Sequence, residues 1–308
     1  MVRAFAFLFL LLLPVAAQAA PTVQICEATW TDPGRGGRSV PVRIRMPVGA
    51  DKAPVILFSH GLGGSLDSGT DWVDAWAVAG FITVNIQHAG SDTALWRGQA
   101  RPLLAMRGGM NVEQLQARAG DVHFVLDRIA MGGHVGPCDL GRADMGKVGM
   151  SGHSFGAQTT LAVSGGVYAG APVMRDPRIK ASIAFSPQPS QGVDDATAFG
   201  GIGIPFFTVT GTRDAVPSLN GATAQDRLRP YAAMPAGGKD LLIIDGATHM
   251  MLNGQTLERP QATPSPGMVE TITRATALFW RATLLGDTAA AVQLKALRPG
   301  PGDRFAAK

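Results

Sequence analysis

The sequence predicts an α/β fold: one mostly parallel central sheet with helices on both faces. Three observations carry this. Continuous apolar runs of strand length recur along the chain, amphipathic helical segments separate them, and a Gly-x-Ser-x-Gly turn joins one such run to a helix.

The N-terminal segment stands apart from that pattern. Met1-Val2-Arg3 is short and basic, residues 4–15 are apolar, and Ala17-Gln18-Ala19 is a small-x-small cleavage site. This predicts a secretory signal peptide over residues 1–19, hence a secreted or periplasmic protein without a stable membrane anchor after cleavage. An uncleaved N-terminal anchor is the alternative, although the apolar run is short for a membrane span. Residues 20–294 suffice for a single α/β domain with a sizeable core. Residues 295–308, containing Pro299-Gly300-Pro301-Gly302, are expected to form a disordered tail.

Within the domain, residues 22–30 and 40–46 alternate like edge strands around an Asp32-Pro33-Gly34 turn. Residues 54–59 are continuously apolar, as a strand buried on both faces should be. A helix starting at Thr70-Asp71 carries Trp72, Val73 and Trp76 until Gly80, and residues 81–86 form the next buried strand. Residues 111–130 place Leu115, Val122, Val125, Leu126 and Ile129 on one helical face. A short strand over 147–151 leads through the glycine-flanked serine into a helix over 157–163, which Gly165-Gly166 stops. Strands over 179–185, 204–210 and 240–244 follow, then a last helix over about 268–285.

Composition narrows the function. With 27 basic against 23 acidic side chains the net charge is only +4, and no Lys/Arg run exceeds two residues, so no nucleic-acid site is expected. The two cysteines, Cys26 and Cys138, form one disulfide in an oxidising compartment or remain two buried thiols. Neither has neighbours at metal-ligand spacing, so no zinc site is expected.

The chemistry is concentrated in Gly152-His153-Ser154-Phe155-Gly156, which fits a nucleophile elbow. Ser154 then sits at a helix N-terminus, and the glycines allow strand and helix to pass closely. A serine hydroxyl needs a base to take its proton and an acid to orient that base. The one histidine downstream is His249, in the loop after the last strand, and it is the expected base. Asp214, at the C-terminal end of the 204–210 strand, is the expected acid; Asp194, Asp195 and Asp245 are its rivals. The oxyanion requires preorganised donors. These are expected from the backbone N–H groups of Phe155 and of Leu62, the latter in the loop His60-Gly61-Leu62-Gly63-Gly64. His60 is read as a prop for that loop, and His88, His123, His134 and His153 as structural. Residues 90–109 and 187–203 are the expected pocket lining.

These motifs, with Phe58-Ser59-His60-Gly61-Leu62-Gly63, resemble the α/β-hydrolase superfamily. Within it the chain is similar to bacterial proteins grouped with platelet-activating-factor acetylhydrolases and dienelactone hydrolases, from about Pro41 to Leu285. The resemblance implies an α/β-hydrolase fold and a carboxylic ester hydrolase working through an acyl-enzyme, without a cofactor, on a small-molecule ester. Two departures matter. The strand over 179–185 ends in Ser186-Pro187-Gln188 with no Asp, so the acid sits where dienelactone hydrolases place it, yet the nucleophile is Ser154 rather than their cysteine. Gln188 also stands where similar polyester hydrolases carry a tryptophan, which ranks small or short-chain esters above polyesters. Lipase, phospholipase, polyester (cutinase-like) hydrolase, peptidase or perhydrolase activity is the alternative on the same fold. A non-catalytic binding protein is the alternative of another class.

Overall fold

The computed structural model describes residues 22–49, 52–217, 221–255 and 263–308. The expected signal peptide, residues 1–19, lies outside the described residues. The chain enters through the hairpin β1 (Val23–Asp32) and β2 (Arg38–Pro47), whose turn Asp32 caps by accepting from the Gly34 N–H at 2.9 Å. Then come β3 (Ala53–Ser59), α1 (Thr70–Val78), β4 (Ile82–Ile86), α2 (Pro102–Gly109) and α3 (Val112–Ala130). Asn111 caps α3 by accepting from the Gln114 N–H. A small hairpin, β5 (His134–Val135) and β6 (Cys138–Asp139), precedes β7 (Ala143–His153) and α4 (Phe155–Val163). The remainder is β8 (Ile179–Phe185), α5 (Asp195–Phe199), β9 (Phe206–Arg213), α6 (Arg229–Ala233), β10 (Lys239–Thr248), α7 (Pro266–Leu284), α8 (Thr288–Lys295) and β11 (Arg304–Ala307).

Among the described residues nine strands form one sheet in the order β1-β2-β4-β3-β7-β8-β9-β10-β11. The run from β4 to β10 is parallel, and β1, β2 and β11 add antiparallel pairings at the edges. Both faces are covered, and single strands show it. On β3, Val55 and Leu57 join the core beneath α3 and α4, while Ile56 and Phe58 join the core beneath α1, α7 and α8. That is why β3 reads as an unbroken apolar run rather than an alternating one. The second core holds Trp72, Trp76 and Trp280, all fully buried, and Trp76 donates its indole N–H to Thr276 Oγ1 at 2.9 Å.

The strand order fixes where a site forms. From β3 the chain steps outward to β4, then returns across β3 to lay β7 on its other side, so the order reverses between β3 and β7. Open α/β sheets place their crevice beyond the strand ends at such a reversal. The two loops leaving it are residues 60–64 after β3 and Ser154 after β7.

Cys26 on β1 and Cys138 on β6 are disulfide-bonded, with Cα atoms 6.3 Å apart. The bond closes a loop with a sequence separation of 112, for which chain entropy contributes roughly 4–5 kcal/mol.

The tail corrects an expectation. Residues 295–308 are not a disordered extension: Arg304–Ala307 form β11, paired antiparallel to β10 with Leu242 opposite Phe305. Pro299-Gly300-Pro301-Gly302 is the turn into that strand, held by Asp303 N–H donating to the Gly300 carbonyl at 3.1 Å. The physical reason is an otherwise open sheet edge on β10. Phe305 adds an edge-on contact with Phe207, and Lys308 Nζ donates to the Met234 carbonyl at 2.7 Å.

Candidate active site

Ser154 lies between the last residue of β7 and the first of α4, at φ 56° and ψ −114°. An L-residue seldom adopts this conformation, and here the surroundings impose it. Its N–H donates to the Phe185 carbonyl at 2.9 Å, and its carbonyl accepts from the Gln158 N–H at 3.1 Å. The flanking glycines are steric requirements. A Cβ on Gly156 would overlap the Ser59 carbonyl of β3, and one on Gly152 the Gly156 carbonyl.

The residues expected to act together converge. His249, directly after β10, brings Nε2 to 2.9 Å from Ser154 Oγ. Its Nδ1 lies 2.8 Å from Asp214 Oδ1, and Thr210 Oγ1 donates to the other carboxylate oxygen at 2.8 Å. An ionised carboxylate only accepts, so His249 donates from Nδ1 and its Nε2 accepts the serine proton. Ser154 and His249 are each 9% exposed and Asp214 is fully buried. Burial pushes the Asp214 carboxyl up, but the His249 hydrogen bond and charge and the Arg227 charge outweigh it and hold it below the ordinary carboxylate range. Burial likewise pulls His249 down, Asp214 opposes that, and Arg227 reinforces it. The rival acids are engaged elsewhere. Asp194 caps α5, Asp195 pairs with Arg229 at 2.8 Å, and Asp245 accepts from Thr212 Oγ1 at 3.0 Å.

Arg227 was not legible as a site residue. It sits in a 3₁₀ turn before α6 in the charged stretch Asp226-Arg227-Leu228-Arg229, which reads as surface, yet it is fully buried. Its Nε lies 3.3 Å from Asp214 Oδ1, and its Nη1 donates to the Ser186 carbonyl at 3.3 Å and to Gln188 Oε1 at 3.4 Å. The guanidinium therefore ties the acid to the turn after β8. His153 closes the other side, its ring 4.6 Å from that of His249 and its Nε2 donating to the His249 carbonyl at 2.9 Å.

The loop after β3 rests on a second buried network. His60 Nε2 accepts from the His88 N–H at 3.0 Å, so its proton is on Nδ1, which donates to the Gly61 carbonyl at 2.6 Å. His60 thus props the loop as expected. Arg118, fully buried on α3, donates to the His60 carbonyl at 2.7 Å and to Ser91 Oγ at 2.8 Å. Its guanidinium also lies over the Phe155 ring, 4.3 Å from the centroid. Burial pulls Arg118 down to about 9, which leaves it charged at neutral pH. Asp121, one turn along α3, accepts from Arg38 Nε at 2.7 Å and from His88 Nδ1 at 3.0 Å, and it pairs with Arg35 at 2.8 Å. A signal for Arg118 existed: it occupies the apolar face between Leu115 and Val122, where a cation needs a reason to be.

Leu62 is half-buried in this loop, and Phe155 is the first residue of α4, whose leading amides have no intrahelical acceptor. Gly61 packs against the elbow: a Cβ there would stand 3.5 Å from Ser154 Cβ. Residues 90–109 do not line the neighbouring cleft as expected. They clamp the loop instead, Trp96 donating its indole N–H to the Gly63 carbonyl at 2.7 Å. The cleft, about 390 Å³, is walled by Met110, Leu115, Phe155, Gln158, Tyr168 and Gln188 among others. Of the expected segments, only 187–203 contributes, through Gln188, Pro189 and Gln191. Among the described residues no cluster of three or more His, Cys, Asp or Glu side chains is placed to hold a metal ion. No protein-family model matches the chain, and no curated protein matches it.

Proposed function

We propose that this chain is a serine esterase of the α/β-hydrolase fold that cleaves small or short-chain carboxylic esters through an acyl-enzyme. The observation that carries the reading is the unbroken chain Ser154 Oγ, His249, Asp214, with successive contacts of 2.9 and 2.8 Å. In this reading His249 takes the Ser154 proton as the hydroxyl attacks the ester carbonyl, then delivers it to the departing alcohol. Asp214 holds the imidazole tautomer and stabilises the imidazolium without itself taking the proton. The backbone N–H groups of Phe155 and Leu62 receive the developing oxyanion. A water activated by His249 then releases the acid and restores Ser154. All of these groups are supplied by the chain.

The mixed walls of the cleft support a compact substrate, since Gln158 and Gln188 break the apolar surface that a long acyl chain would need. We also propose export to an oxidising compartment, which the Cys26–Cys138 bond supports. The test is Ser154→Ala assayed on p-nitrophenyl acetate and butyrate beside labelling by a fluorophosphonate. Turnover should fall by at least about 10³-fold, and labelling should vanish. Turnover retained by the variant sinks the proposal.

A further inference from the structure

Arg118 is a buried cation whose hydrogen bonds end on neutral oxygens; its Nη2 also stands 3.3 Å from His60 Nδ1, which carries its own proton in the tautomer above and does not accept. Besides the His60 carbonyl and Ser91 Oγ, its guanidinium reaches the Gly61 carbonyl at 3.4 Å, the Ser91 carbonyl at 3.3 Å and Ser59 Oγ at 3.4 Å. Among the described residues no carboxylate lies within ion-pair distance of it: Asp121 and Asp92 act on it from farther away, and Asp121 pairs directly with Arg35, Arg38 and His88. Leaving a buried charge without a directly paired counterion is costly, and such a charge calls for a use.

The peptide unit joining Gly61 to Leu62 supplies that use. Its carbonyl receives three donors, His60 Nδ1–H at 2.6 Å, the Gly64 N–H across the turn at 3.1 Å and Arg118 Nη2 at 3.4 Å. The peptide bond is planar and trans, so the C=O and N–H of one unit point in opposite directions. With the Gly61 carbonyl drawn into the buried network, the Leu62 N–H is turned the other way, out of that network, in a loop that packs against Ser154. Donors on the carbonyl also polarise the amide and strengthen what its N–H can donate. The same guanidinium lies over the ring of Phe155, which carries the other expected N–H.

We infer that Arg118, acting with His60, is a positioning residue that orients and polarises the Leu62 N–H to receive negative charge at the carbonyl oxygen of the bound ester. The inference rests on the esterase reading above. Arg118 does not touch the substrate in this scheme. It acts through the backbone, so it should affect the transition state and spare the ground state.

The experiment compares wild type, Arg118→Met and Arg118→Lys, with Ser154→Ala alongside. Steady-state kinetics on p-nitrophenyl butyrate are read beside inhibition by an alkyl trifluoromethyl ketone, whose serine adduct carries an oxyanion. Arg118→Met should lower kcat about 10–100-fold, short of deleting an oxyanion donor outright, and should leave KM within about threefold. The inhibition constant should rise by the factor by which kcat falls. Arg118→Lys keeps the charge and loses the fork, so it should fall between. If Arg118→Met does not fold by circular dichroism, Arg118→Lys carries the same comparison of kcat with inhibition constant. A lowered kcat with an unchanged inhibition constant, or neither changed, overturns the inference and leaves the esterase reading intact when Ser154→Ala is inactive. Turnover retained by Ser154→Ala overturns both.

Discussion

Two buried arginines flank Ser154, and they are compensated differently. Arg227 stands 3.3 Å from Asp214 Oδ1, so cation and carboxylate form a pair beside the base. Arg118 is held by carbonyl and hydroxyl oxygens, with no carboxylate in ion-pair reach among the described residues. The acid-side cation is thus paired directly, whereas the loop-side cation, under the amides expected to receive an oxyanion, meets the charges of Asp121 and Asp92 only from beyond ion-pair distance. A charge stationed beside the proton relay must not overwhelm it. In the proposed esterase reading, a charge stationed where negative charge would develop can do without a directly paired carboxylate, because the reaction would supply the counter-charge.

Breaking the acid-side pair from the carboxylate end should give the largest effect. Asp214→Asn removes the acceptor that fixes the His249 tautomer and leaves Arg227 without its partner. Measured by kcat on p-nitrophenyl butyrate, the loss should be about 10⁴-fold. A loss under tenfold would remove Asp214 from the relay and collapse the comparison.

Breaking it from the other end should separate charge from geometry. The charged and titratable groups around the His249 ring are Asp214, Arg227 and His153. Removing the cation in Arg227→Gln lifts a repulsion on the imidazolium and raises the His249 pKa. The acidic limb of the kcat/KM profile should therefore move to higher pH, and Arg227→Lys should leave it in place. Urea unfolding should show a cost of about 3–5 kcal/mol for Arg227→Gln, the usual result of stranding one half of a buried pair. Arg118→Met is expected to lower the height of the same profile without moving its limb.

A smaller effect sharpens the loop side. Burial holds His88 down at about 4, and its Asp121 bond only partly opposes this. The unfolded chain takes up that proton near pH 6.5, so in this window the unfolded state binds more protons and stability falls as the pH drops from about 6.5 to about 4. His60 and His153, also depressed chiefly by burial, act in the same sense. Asp240, raised by burial to about 6, acts in the opposite sense from the far side of the sheet. In His88→Asn the slope of unfolding free energy against pH should shrink by up to about one proton. An unchanged slope would mean that His88 does not titrate with the fold.

What the sequence revealed follows from how local each signal is. The elbow, the glycine-rich loop and the order Ser154, Asp214, His249 are legible because each rests on a few adjacent residues beside an apolar run. The arginines are not, because their partners lie far along the chain: Arg118 meets Ser59 and His60, and Arg227 meets Ser186 and His249. Asp226, Arg227 and Arg229 look alike as charged residues of one stretch, and only packing separates the buried Arg227 from the half-buried Asp226 and the exposed Arg229. β11 was missed for a related reason. A Pro-Gly run signals a break in regular structure, and the partner that recruits the four residues beyond it, β10, is more than fifty positions upstream.

The disulfide divides these two halves of the site by chain topology. Arg35, Arg38, Ser59, His60, Leu62, His88, Arg118 and Asp121 all lie inside the covalent loop closed by Cys26 and Cys138, whereas Ser154, Asp214, Arg227 and His249 all lie outside it. The loop side is thus covalently tethered to itself, and the relay side is not. The covalent tether therefore restricts the unfolded chain on the loop side only, while the pairing of β3 with β7 joins the two halves in the folded sheet.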